Sequence, residues 1–186
     1  MPNKTIFCVL GRTASGKDTL VAEMCNKHNL KQLISYTTRP KRNENENTHI
    51  FATEQDFNND CARNAVVAST VINGYTYWST KDQVYESDVY IIDPRGLEEL
   101  KRTMSDVRIV TICIYVDAHS RRQRFLMRQP GKDELFEQRN ASESEQFDAF
   151  ELNKMADYFV FNDRFETALY CLDRIITFER NKTNEI

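Results

Sequence analysis

The sequence predicts an α/β fold with a mainly parallel sheet, and three observations predict it. Short apolar runs alternate along the chain with helical patterns, the order expected when a helix returns the chain across a sheet after each strand. The run Gly11-Arg12-Thr13-Ala14-Ser15-Gly16-Lys17-Asp18-Thr19 stands between one such strand and one such helix, which is the strand–loop–helix order of a phosphate-binding loop. The chain has only five glycines in 186 residues, and two of them fall in this loop. With glycine this scarce, the spacing is not a by-product of composition.

The elements follow in order. Ile6-Phe7-Cys8-Val9-Leu10 reads as a buried parallel strand, and Leu20, Val21, Met24 and Cys25 then mark one apolar face of a helix. Gln32–Tyr36, Asp88–Asp93, Val107–Val116 and Tyr158–Phe161 supply four further strands, with helices over Gly96–Met104 and Thr167–Phe178. Leu169, Leu172, Ile175 and Ile176 lie on one face of the last helix, and Lys182–Ile186 is expected to be a frayed tail. Two insertions interrupt the alternation. The first, residues 37–80, carries short strand patterns, with Asn73-Gly74 turning a hairpin between Val66–Val71 and Tyr75–Ser79. Within it, Thr53 and Asp56 have the spacing of a helix cap. The second, residues 117–152, is charged and helical, and Arg121, Arg122, Arg124, Arg128, Lys132 and Arg139 crowd its first two-thirds. The expected organisation is a single domain over residues 1–186: a core of 1–36, 81–116 and 153–186, a small mixed insertion, and a helical lid.

Composition excludes several classes. A net charge of −3 argues against a bulk nucleic-acid binder. No run of about eighteen apolar residues exists, and Met1-Pro2-Asn3-Lys4 leads into a strand, so neither a membrane span nor a signal peptide is expected. Cys8, Cys25, Cys61, Cys113 and Cys171 form an odd, widely spaced set without a Cys-x-x-Cys pair. This fits a reducing cytoplasm rather than a disulfide or zinc framework. His28, His49 and His119 have no metal-ligand spacing.

The loop chemistry points to a nucleotide. Successive main-chain N–H groups and a helix N-terminus can wrap phosphates, and Lys17 can reach the terminal ones. Phosphoryl transfer then needs positioning, Mg²⁺ and cations over the migrating charge. Ser35-Tyr36-Thr37-Thr38-Arg39-Pro40-Lys41-Arg42 leaves the second strand at the carboxyl edge, where ligands bind in such sheets. Arg39 and Arg42 can grip a phosphate with guanidinium forks.

Taken together, these motifs resemble the guanylate kinase family of P-loop nucleoside monophosphate kinases along nearly the full chain. The likeness rests on the phosphate loop and on Ser35, Thr37, Thr38, Arg39 and Arg42. It extends to Tyr77-Trp78-Ser79, Ile92-Asp93-Pro94-Arg95-Gly96, the pair Arg128 and Arg139, and Val160-Phe161-Asn162-Asp163. The resemblance implies that Lys17 and the Gly11–Thr19 backbone hold ATP, with Asn162 at the adenine. It implies that Arg39, Arg42, Tyr77 and His49 clamp the acceptor monophosphate, with Ser35, Ser79 and Asp93 around its base. It makes Arg128 and Arg139 lid residues that close on the transferring group, so that Lys17, Arg39, Arg128 and Arg139 are the catalytic set. Residues 37–80 become the monophosphate-binding region. The implied partners are ATP with Mg²⁺ and a nucleoside monophosphate, GMP or dGMP first, for a cytoplasmic monomer or homodimer.

Four positions depart from the family pattern. Asp18 replaces the hydroxyl after the loop lysine and is the candidate metal ligand. His49 stands for a tyrosine, and Trp78 replaces a glycine and is expected to add bulk beside the acceptor pocket. Ala68 falls where a glutamate reads guanine, a loss that would forfeit roughly ten- to hundred-fold base discrimination. Two other readings stay open. Ribose bisphosphate phosphokinases share the Gly-Lys-Asp loop, Glu46-Asn47-Thr48-His49-Ile50 and Asn73-Gly74-Tyr75-Thr76-Tyr77, while non-catalytic guanylate-kinase-like modules mediate protein contacts.

Overall fold

The uninterrupted apolar runs of the core strands are explained by burial on both faces. The computed structural model describes residues 4–184. In chain order the elements are β1 (Lys4–Leu10), α1 (Lys17–His28), β2 (Gln32–Leu33), β3 (Tyr36–Thr37), β4 (Ile50–Phe51), α2 (Glu54–Ala62), β5 (Val66–Ile72) and β6 (Tyr75–Thr80). There follow α3 (Lys81–Glu86), β7 (Val89–Ile91), α4 (Pro94–Thr103), β8 (Val107–Tyr115), α5 (Ala118–Arg128), α6 (Asp133–Leu152), β9 (Tyr158–Phe161) and α7 (Phe165–Asn184). β2, β7, β1, β8 and β9 form one sheet in that order, every pair parallel. Side chains alternate across it. Ile6, Cys8 and Leu10 face Leu97, Leu100, Phe147 and Phe150 from α4 and α6, whereas Phe7 and Val9 face Leu20, Val21, Met24, Leu172 and Ile176 from α1 and α7.

The second strand differs from its expected course. Gln32–Tyr36 breaks at Ile34-Ser35, so that β2 stays in the parallel sheet while β3 enters a second, mixed sheet of order β4-β3-β6-β5. One apolar run therefore seeds two sheets, and Ser35 sits at the junction. The first insertion otherwise forms as its turn chemistry dictates. Asn73 (φ 52°) and Gly74 (φ 79°) close the β5–β6 hairpin in left-handed conformations. Thr53 and Asp56 cap α2 reciprocally. A register shift between Val66 and Ala68 kinks β5 near its start. Two helices run differently from expectation: α3 is additional, and α7 continues through Lys182 to Asn184 rather than fraying there. Glu185 and Ile186, like Met1 to Asn3, lie outside the described residues.

Trp78 corrects a second expectation. Strand alternation turns it away from Tyr77, onto the opposite face of the mixed sheet. It is 1% exposed, stacks on Tyr36 at 5.2 Å, meets Phe57 edge-on, and donates its indole N–H to Asp60 at 2.9 Å. Its bulk fills the core of the insertion and adds nothing beside the neighbouring cleft. Trp78→Phe retains most of the packing but strips Asp60 of a buried donor. Urea unfolding followed by circular dichroism is expected to show a loss of about 1–2 kcal/mol.

Candidate active site

The loop after β1 is held from behind so that its amides face outward. Gly16 (φ 84°) and Ala14 (φ 64°) both take left-handed backbone, which turns successive N–H groups toward one point as an anion-binding nest. Gly16 could hardly be another residue, because an added Cβ would sit 2.5 Å from the Asn162 amide. Ala14 carries the same conformation with a Cβ, a strain of about 1–2 kcal/mol that surrounding contacts must hold. Asn162, at the end of β9, supplies one such contact: its Nδ2 donates to the Ser15 carbonyl at 2.8 Å. Its side chain is 3% exposed. In this structure Asn162 supports the loop from the end of β9.

Lys17 opens α1 at the mouth of a cleft of about 640 Å³. Its ammonium lies 3.4 Å from the exposed carboxylate of Asp18. This one cleft is lined by Gly11, Thr13, Lys17 and Asp18 of the loop and α1, by Ser35, Arg39, Arg42, His49 and Tyr77, and by Ala68, Tyr90 and Asp93. Arg139 comes in from α6. The two halves of the site are thus continuous. Ser79 shares the Tyr77 face of β6 but is fully buried against Tyr90, whose phenol burial pushes well above the usual range. Asp93 both caps α4, accepting from the Gly96 amide at 2.9 Å, and lines the cleft. Burial raises its carboxyl, and the Gly96 and Arg95 amides partly offset that. His49 stands against Tyr77 edge-on at 5.3 Å and within 3.2 Å of the Ser35 hydroxyl. Burial, then the Arg39 charge, pushes its pKa down, which favours the neutral ring.

Arg128, Arg12 and Thr19 stand outside the cleft lining, as do the buried Ser79 and Asn162. Arg128 is exposed at the end of α5 and its guanidinium bonds the Arg124 carbonyl at 3.3 Å, outside the cleft. Arg12 turns its buried guanidinium sideways to Asp148 (2.5 Å) and Glu151 (2.9 Å) of α6. Thr19 lies exposed on the first turn of α1. Cationic density is nevertheless concentrated in the cleft: burial, and then repulsion from Arg42, lowers the Arg139 pKa.

Glu46 is the functional residue that sequence reading passed over. Its carboxylate takes both Arg39 terminal nitrogens (2.7 and 3.3 Å), the Arg42 amide (2.6 Å) and the Thr48 hydroxyl (3.1 Å). Arg39 Nε is left to donate to the Tyr77 hydroxyl at 3.2 Å. The basic loop carries two acids, Glu44 and Glu46, of which only the second is buried, and the spacing Arg39–Glu46 belongs to no regular element, so no sequence signal singles it out.

A guanylate kinase family model matches residues 3–179. The chain belongs to the guanylate kinase family. Among curated relatives, the guanylate kinase of Koribacter versatilis is 30% identical, covering 95% of this chain and 79% of that protein. The guanylate kinase of Nitrosomonas europaea is 26% identical, covering 96% and 91%. A crystal structure of guanylate kinase from Anaplasma phagocytophilum superposes with a TM-score of 0.67 at 20% identity, covering 95% of this chain and 86% of that one, and shares the fold. As a member of the guanylate kinase family, the chain is a nucleotide-binding kinase of the nucleoside monophosphate kinase class. No helix among the described residues is long and apolar enough to cross a membrane.

The Glu46 hub makes a pH signature testable. Hydrogen bonds from Arg39, then from the Arg42 amide, hold its pKa at about 2, against an ordinary 4.5. A depressed carboxyl contributes stability that is present above pH 4.5 and lost as pH falls toward 2. Glu46→Gln is expected to lower the melting temperature at pH 7 and to flatten the acid limb over that window, read by thermal unfolding at stepped pH.

Proposed function

We propose that the protein transfers the γ-phosphoryl group of ATP to a nucleoside monophosphate, GMP or dGMP first. The carrying observation is the continuity of one cleft from Lys17 to Arg39, Arg42 and Tyr77, with Arg139 entering from the lid. Family relatives named guanylate kinase support the same reading. The Gly11–Thr19 amides and Lys17 bind the donor phosphates. Arg39 and Tyr77, set by Glu46, and Arg42 grip the acceptor phosphate, with His49 as a neutral partner. Arg139 meets the charge that builds on the migrating group. Residues 37–80 act as the monophosphate-binding region and 117–152 as the lid, whose closure excludes water from the phosphoryl group. Arg128 must swing inward with the end of α5 to contribute.

The donor chemistry also implies Mg²⁺. Asp18 offers an exposed hard-oxygen ligand beside Lys17, and no group of three or more His, Cys, Asp or Glu residues among those described could hold a metal alone. That donor set fits an ion carried mostly by phosphate oxygens and water. When bound, Mg²⁺ supplies charge neutralisation between the phosphates. The reading places the protein in the cytoplasm, as a monomer or homodimer that needs no nucleic acid or membrane.

Ala68 favours a second acceptor, a ribose bisphosphate, because this cleft wall carries a methyl group in place of a base-reading carboxylate. A coupled assay for ADP across GMP, dGMP, the other common monophosphates and ribose bisphosphate decides between them. Stimulation by GMP or dGMP above all others is expected. No stimulation by any monophosphate overturns the main reading, and preference for the sugar selects the second. Ala68→Glu is expected to raise the preference for GMP over AMP by roughly ten- to hundred-fold in kcat/KM. Arg139→Met is expected to lower kcat by ~10²–10³ with little change in ATP affinity. Unchanged turnover removes Arg139 from the catalytic set.

A further inference from the structure

Two acidic contacts tie α6 to the phosphate loop, and they differ in kind. On the flank, Arg12 pairs with Asp148 and Glu151, touches Ser144 at 3.4 Å, and lies 5.4 Å from the ring centre of Phe147. These contacts dock the helix without spending a loop amide. Glu143 does spend one. The Thr13 N–H donates to both of its carboxylate oxygens at 2.9 Å, and the Thr13 hydroxyl donates to one of them at 2.5 Å. Thr13 also lines the cleft, next to the left-handed turn at Ala14. No ion pair of Glu143 occurs among the described residues; its charge is answered by the loop's donors and by the nearby fields of Arg121 and Arg139. A carboxylate held this way presents the same charge sign, acceptor chemistry and bond lengths as a phosphate edge.

We infer that Glu143 is an internal competitor for the phosphate loop, a carboxylate that must leave Thr13 before a donor nucleotide's phosphates can settle. The inference rests on the reading of Gly11–Thr19 as the donor-phosphate site. Like charges a few ångströms apart in a cleft half shielded from water repel strongly, so the carboxylate and a polyphosphate do not share Thr13. The Arg12 contacts and the buried Phe147 and Phe150 keep the C-terminal half of α6 in place, so release of Glu143 needs only a local shift of the helix or a rotamer change. The lid thus sets donor affinity through one side chain. A clasp that stayed engaged with nucleotide bound would behave oppositely, because its removal would weaken ATP binding.

Calorimetric titration of ATP, and separately of inorganic tripolyphosphate, into the wild type, Glu143→Gln, Glu143→Ala and Glu137→Gln tests this. Glu137 lies on the same helix, exposed, 3.5 Å from Arg122, and its variant removes one charge without touching the loop. Both Glu143 variants are expected to bind each ligand about ten-fold tighter than the wild type. ATP association by stopped flow should be faster in both. Glu137→Gln should stay within roughly two-fold of the wild type. Unchanged or weaker binding in the Glu143 variants overturns the inference, as does an equal gain in Glu137→Gln. If neither the wild type nor any variant binds ATP, the phosphate-loop reading itself fails and takes the inference with it.

Discussion

The arrangement depends on main-chain amides that are left free to point outward. A turn with left-handed backbone at Ala14 and Gly16 is not self-supporting, and several of its carbonyls find partners in the surrounding elements. Asn162 holds Ser15 from the last core strand, Arg121 reaches the Thr13 carbonyl at 3.5 Å, and the Leu20 amide closes on Gly16 at 3.1 Å. With these carbonyls held, the turn can aim N–H groups at an anion, although Ser15's closes on the Arg12 carbonyl at 3.0 Å and Thr13's is taken by Glu143. The parallel sheet makes this possible, because it brings the carboxyl ends of β1, β8 and β9 to one edge.

The acceptor side solves a different problem. A buried guanidinium such as Arg39 costs free energy unless its charge is answered, and an isolated Arg39–Glu46 pair would be weak evidence for stability. Glu46 does more than neutralise. It orders the loop through the Arg42 amide and Thr48, and it leaves Arg39 Nε on Tyr77. On the proposed reading, the clamp is shaped before a ligand arrives, at the cost of part of the positive potential that would attract one. Arg42, 62% exposed and only loosely paired with Glu46 at 3.9 Å, and Arg139 add further cationic density to the cleft.

How much of this was legible in the sequence follows from the range of each interaction. The phosphate loop, the β5–β6 turn and the α2 cap are local, and they formed as read. The core strands were legible because burial on both faces makes them uniformly apolar. The break at Ile34-Ser35 was not, because a two-sheet junction leaves no periodicity in five residues. The face taken by Trp78 depends on strand alternation across from Tyr36, a pairing set by tertiary register. Arg12, Glu143 and Asn162 owe their positions to partners more than a hundred residues away, which no spacing rule reaches.

That distance also explains why the second insertion read as basic over its first two-thirds, with no role for its acids. Its arginines lie mostly on α5 and early α6, and they were visible as a run. The carboxylates that touch the loop are spread over the second half of α6, at Glu143, Asp148 and Glu151, one or two turns apart. Asp148 and Glu151, three apart, share one side of the helix and take Arg12, while Glu143 lies about two turns earlier and takes Thr13, so acids unremarkable in sequence meet the loop at two separate points. It is thus α6 that presents both signs to the cleft, Arg139 and, one turn on, Glu143, while the arginines of α5 stay outside its lining. On the inference drawn above, a ligand takes Thr13 only if it offers the loop more than Glu143 does.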